Sequence, residues 1–288
     1  MTTTIPAPRP APAPPPPLST TGPVVAARAY LCMVKVSART VLTYRANFVL
    51  GLFAVFFQLL AMLYVWRLLL ESGKDFGGYT WPQMKAYLLV AFVTSSLVSA
   101  YGDFRMAARI RDGLVSLDLV KPVTYQTARF AETVGRAALE LAVTFAVAGS
   151  IALVTGGIPV PDLPQLLLFA VSIAAVVPLK FLVVYLSTLL CFWTQNYMGV
   201  AWARTSLVAL LSGSLIPLVL LPSWLQTTAM LLPFASLTAT PAAIYLGQAT
   251  GGEALGLLLT QAGWVTVLWV AGRLVWRFAV RQLTVHGG

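Results

Sequence analysis

Nineteen consecutive residues, Phe48 to Trp66, contain no charged side chain and a single amide, Gln58. A helix of about 20 such residues spans the ~30 Å apolar core of a bilayer. Comparable runs recur at about Tyr87 to Tyr101 (extending outward through Pro82), Ala137 to Thr155, Leu166 to Trp193, Val200 to Leu221 and Ala254 to Trp276. The chain is 58% hydrophobic and 10% charged, where a soluble domain carries about 25% charged residues. These features predict an all-α integral membrane protein. The net charge of +10 would suit nucleic acid, but the cations flank apolar runs and form no solvated basic stripe. They mark topology, and no nucleic-acid partner is expected.

Three basic clusters set the number of crossings. Arg28, Lys35, Arg39 and Arg45 precede the first run. Arg105, Arg109, Arg111, Lys121, Arg129 and Arg136 lie between the second and third, and Arg273, Arg277 and Arg281 follow the last. All three belong in the cytoplasm by the positive-inside rule, so the crossings are even in number. Six transmembrane helices fit, with both termini cytoplasmic. From Thr205 to Gly252, 48 residues carry no charge, enough for two spans. A seventh crossing would break the charge rule. Residues 222–248 are therefore expected to form an extracytoplasmic re-entrant helical hairpin, cut by Pro222, Pro233 and Pro241 into pieces too short to cross and packed against other spans.

The first 23 residues include nine prolines and no apolar core, so residues 1–23 read as a disordered proline-rich tail and not as a signal peptide. Residues 24–46 are helix-compatible. Arg28, Lys35 and Arg39 fall at offsets of seven and four and share one face, with Arg45 closing the cluster. This is an amphipathic helix for the membrane interface, so membrane lipid is an expected partner. The six-span domain then covers 47–280, and 281–288 form a cytoplasmic tail.

The most charged stretch is "RIRDGLVSLDLVKPV", residues 109–123, inside the loop of about 103–136. Gly113 should interrupt the helix leaving the membrane, and Lys121-Pro122 should end the short piece that follows. Leu114, Leu117 and Leu119 flank Asp118, with Arg111 and Asp112 nearby. Apolar knobs inside a ring of charge suit a groove on a soluble partner; a plain solvated basic turn is the alternative. For a docked loop, Leu114 and Leu117 should supply the buried contact, with Arg111, Asp112 and Asp118 setting orientation at the rim.

The layout resembles the permease subunit of a type-2 ATP-binding-cassette (ABC) exporter in its bacterial six-span form. The resemblance is carried by "YRANF" at 44–48, "IRDGLVSLDLVKPV" at 110–123, "SGSLIPLVLLPSWLQTTAMLLPFASLTATPAAIYLGQ" at 212–248 and the terminal "LTVHGG", in that order and spacing. It implies that residues near 112–121 form the coupling helix, seated in a cleft of a nucleotide-binding subunit. It also implies that the N-terminal amphipathic helix is the connecting helix and that the hairpin caps the outer face. The partners implied are two ABC ATPase subunits and a second permease, identical or homologous, in the bacterial inner membrane. The implied substrate is hydrophobic or amphipathic. Leu114 departs from the pattern, since family members often carry an acid directly after the glycine.

The chain has no motor of its own by motif. GxxxxGK[ST] is absent, and the one Gly-Lys pair, Gly73-Lys74, is followed by Asp75. ATP and magnesium would be bound by a partner chain, with no cofactor in this one. Cys32, Cys191 and His286 are too few and too scattered for a metal site, and no catalytic dyad is visible. Glu140 and Lys180 are intramembrane charges, each twenty residues from the centre of the loop near Val160. Equal rise puts them at similar depth. They either pair, or Glu140 reaches the interface while Lys180 snorkels or lines a cavity. An ion-coupled secondary transporter would require inverted repeats and further midplane acids. A non-transporting anchor relaying ATPase motion would want an outer domain, and the outer loops are small.

Overall fold

The computed structural model describes residues 23–43, 45–73, 76–98, 101–119, 123–194 and 196–282. Among them the chain is helical throughout, without strands: α1 (Pro23–Thr43), α2 (Arg45–Glu71), α3 (Trp81–Ser96), α4 (Tyr101–Arg111), α5 (Val115–Leu119), α6 (Tyr125–Val154), α7 (Leu163–Leu189), α8 (Tyr197–Leu211), α9 (Ser223–Leu231), α10 (Ala235–Tyr245) and α11 (Gly251–Ala279). Lys121 and Pro122, the proline-rich tail before residue 23 and the terminal "LTVHGG" lie outside the described residues, as does the side chain of Arg45.

Four segments are long and apolar enough to cross a bilayer: Val49–Glu71, Tyr125–Val154, Leu163–Phe192 and Gly251–Ala279. The pair α9–α10, bent by 101°, makes a fifth if it is one span. The expected second and fifth spans appear as α3 and α8, of 16 and 15 residues. At 1.5 Å per residue these reach about 24 and 22 Å, short of a full apolar core. Six crossings therefore remain an expectation of the charge pattern.

Helices α3 and α7 form the interior. In α3 every residue from Met84 to Thr94 is buried, including Lys85, whose Nζ donates to the Thr155 carbonyl at 2.7 Å. In α7, Val176, Leu179, Phe181, Leu182, Tyr185 and Leu189 have essentially no exposed surface. Helix α11 lies against α7 along a narrow seam of Ala254, Gln261, Gly272 and Ala279. Small residues at such a seam let two helices approach closely where no hydrophobic force drives them together. A Cβ at Gly272 would sit 3.2 Å from both the Tyr185 ring and Gln126 Nε2.

Prolines delimit α9, with Pro222 at its start and Pro233 beyond its end, but Pro241 does not break the segment as the sequence suggested. It lies inside α10, buried with Ala235, Leu237, Ala242 and Ile244 between α3 and α7. Packing on both sides holds the helix through the missing N–H. The expectation that this segment is buried in protein holds for α10, whereas α9 exposes Trp224, Met230 and Leu231.

Candidate functional site: the α4–α5 loop and its charge clamps

Helix α4 ends where the glycine predicts. Asp112 N–H donates to Ala108 O at 2.8 Å and Gly113 N–H to Ile110 O at 3.2 Å. Gly113 then adopts φ +70°, a left-handed conformation that costs glycine no Cβ clash. Five residues of α5 follow, too few to be stable alone. Their position is set by Val115, fully buried against Met106, Ile110 and Tyr125, and by Asp118.

Asp118 corrects one expectation. It is not a rim charge but a buried hub, 5% exposed. Arg109 of α4 donates to Asp118 Oδ2 through Nε at 3.0 Å and Nη2 at 2.7 Å. Arg129 of α6 approaches Oδ1 at 3.7 Å, bonds Glu132 at 3.0 Å and lies 5.2 Å from the Tyr125 ring centroid. One carboxylate thus ties α5 to both helices that flank it. A charge inside a protein needs such partners, and two arginines supply them.

With Asp118 turned inward, the leucines face out. Leu114, Leu117 and Leu119 are 42%, 61% and 46% exposed. Arg111 and Asp112 are also exposed, 3.6 Å apart. The loop presents three apolar knobs beside one solvated ion pair, on a frame held from behind.

A second clamp, unread in the sequence, ties α4 to α8. Arg204 donates to Asp103 and, through Nη1, to Ser187 Oγ at 3.1 Å and Tyr197 Oη at 3.4 Å. Burial pushes the Asp103 carboxyl above the usual carboxylate range, while the Arg204 guanidinium pulls it back. The one available signal was that Arg204 interrupts an apolar run and so demands a partner.

Glu140 and Lys180 do not form a direct ion pair. Lys180 Nζ donates to the carbonyl oxygens of Thr94 and Ser95 at 3.0 and 2.6 Å. These are C-terminal carbonyls of α3, which lack intrahelical donors and carry the negative end of the helix dipole. The lysine caps a helix that stops inside the protein. Glu140 is buried, and its Oε2 has no hydrogen-bond partner among the described residues. It lines a small polar pocket with Asp103, Thr133 and Arg136.

A shallow groove opens between α2, α3 and the end of α8. Gln58, Ser95 and Ser214 line it among apolar side chains such as Leu59, Phe92 and Leu215, and no charged residue borders it. Among the described residues no cluster of His, Cys, Asp and Glu has the makings of a metal site.

A family model described as an ABC-2 family transporter protein matches residues 52–287. The chain belongs to that family. A comparison with curated proteins finds no match. The matched range takes in the α4–α5 loop, both clamps and the groove, so each belongs to the part of the chain that is recognisably an ABC-2 transporter. Helix α1 and most of the first turns of α2 precede it. Membership makes this ABC-2 transporter a multi-pass membrane permease, a role that in ABC systems goes with ATPase partners.

Proposed function

We propose that this ABC-2 transporter protein is the permease of an ATP-driven exporter, and that separate ATPase subunits dock on the loop built around α5. The observation that carries this reading is the division within the loop. Asp118 is clamped by Arg109 and Arg129, while Leu114, Leu117 and Leu119 stay exposed on the held frame. Apolar side chains on a rigid edge, rimmed by charge, are what a groove on a soluble partner recognises. Motion of the partner would pass through α5 into α4 and α6, and from α4 through the Asp103–Arg204 clamp into α8. The residues at 111–114, 117, 118, 121 and 122 then make up the coupling element, with ATP and magnesium on the partner chains.

The lining of the groove between α2, α3 and α8 suits a substrate of mixed character. Uncharged and with three neutral polar groups, it favours a hydrophobic or amphipathic molecule over an ion. A second permease, identical or homologous, would complete the pathway. Both termini would be cytoplasmic in a bacterial inner membrane, as the three basic clusters require.

Leu117→Asp tests the reading. The side chain is exposed, so the permease should insert and fold as before. ATPase subunits should co-purify poorly and substrate transport should stop. Arg111→Glu should give a milder, salt-sensitive defect, because a rim charge tunes encounter more than affinity. Full ATPase recruitment and transport by Leu117→Asp would show the loop to be only a topological marker.

A further inference from the structure

Helix α1 is divided by burial into two faces. Ala29, Tyr30, Met33, Val34, Ser37 and Ala38 are half-buried, and this face is applied to α6. Tyr30 Oη shares a 2.8 Å hydrogen bond with Thr127 Oγ1. The Val34 carbonyl lies where a Cβ on Gly135 would stand, so glycine there permits the close approach. The opposite face is exposed and consists of Arg28, Leu31, Cys32, Lys35, Val36 and Arg39. At 100° per residue the three cations fall within about 40° of one another, with Leu31 on one flank and Val36 on the other. No acidic residue occurs anywhere on α1.

Packing on α6 fixes which way the stripe faces, and a single residue separates α1 from α2, whose Val49–Glu71 segment is able to cross a bilayer. That adjacency puts the stripe near the start of a segment able to cross a bilayer, beside the cytoplasmic half of α6.

We propose that this face of α1 is a binding site for anionic phospholipid headgroups in the leaflet bordering it. Guanidinium and ammonium groups pair with the lipid phosphate. The aliphatic stems, with Leu31 and Val36, lie along the upper acyl chains. A zwitterionic lipid offers the same phosphate but cancels its charge, so the site discriminates by net charge. An acidic protein surface would satisfy the cations and leave the flanking apolar side chains against a polar rim; a lipid accommodates both. Lipid binding here needs no ATPase subunit, so it stands or falls separately from the coupling role of α5.

The test uses the purified full-length permease in neutral detergent, titrated with phosphatidylglycerol or phosphatidylcholine and read by native mass spectrometry as retained lipid. The wild type should retain phosphatidylglycerol in preference. Each cation removed by Arg28→Gln, Lys35→Gln or Arg39→Gln should weaken that preference about fivefold, and all three together on the order of a hundredfold. Arg28→Lys with Arg39→Lys should keep most of it, and raised salt should erode it. Arg273→Gln with Arg277→Gln, at the end of α11, serves as the control and should leave it intact. The α1 cations are exposed, so unchanged melting verifies the fold of every variant. Equal retention of the two lipids by the wild type, an undiminished preference in the triple variant, or an equal loss in the α11 control would each overturn the proposal.

Discussion

Replacing Asp118 by alanine separates the frame of the loop from its docking face. The carboxylate is buried and holds Arg109 through two hydrogen bonds, with Arg129 close to its other oxygen. Removing one member of a buried ion pair costs about 3–5 kcal/mol when the other is stranded. Neither arginine is fully stranded here. The Arg109 side chain is 32% exposed and can turn to water, and Arg129 keeps Glu132 and the Tyr125 ring. The expected loss is therefore about 2–3 kcal/mol, below the full figure for an abandoned buried charge. By contrast Leu117→Ala, at an exposed position, should cost less than about 0.5 kcal/mol of stability. Unfolding titrations with SDS in mixed micelles, followed by tryptophan fluorescence, measure both variants. If Asp118→Ala is as stable as the wild type, the clamp contributes nothing and the rigid-frame argument for α5 fails. If Leu117→Ala costs as much as Asp118→Ala, the leucine is packed within the protein and is not free for a partner.

Lys180→Met should destabilise by about 1–3 kcal/mol, because the Thr94 and Ser95 carbonyls lose their donor. In the same unfolding assay a double-mutant cycle with Glu140→Gln should show a coupling energy below about 1 kcal/mol, since the two side chains do not touch; a larger value would restore the direct pair. Gly135→Leu should force α1 away from α6 and cost about 1–3 kcal/mol in the same assay; a variant as stable as the wild type would contradict the close approach. With Cys32 and Cys191 replaced, single cysteines at 226 and 286 report topology through an impermeant thiol reagent. Position 226 should label in intact cells and 286 only after lysis, and the opposite pattern would reject the six-span orientation.

The loop shows how far spacing carries and where it stops. Gly113 was legible as a break because no other residue enters the left-handed region so cheaply. The leucines were legible as exposed knobs because they alternate with charge over a short piece. That Asp118 turns inward was not legible. Its partners, Arg109 and Arg129, come from two other helices, and their convergence depends on how α4 and α6 cross.

Helical character, membrane residence, the missing nucleotide motif and the basic-cluster pattern are properties of the chain itself. All but the motif arise residue by residue, from the transfer of side chains between water and hydrocarbon. The tertiary structure alone decided what the buried polar groups meet. Lys180 finds the carbonyl end of α3 instead of Glu140, and Arg204 finds Asp103 across more than a hundred residues of sequence. Gln261 joins Ser172 of α7 to the Ser236 carbonyl of α10. Hydrogen bonds and ion pairs are directional and short-ranged, so a partner is chosen by the depth and rotation of at least two helices at once, which a linear spacing does not encode.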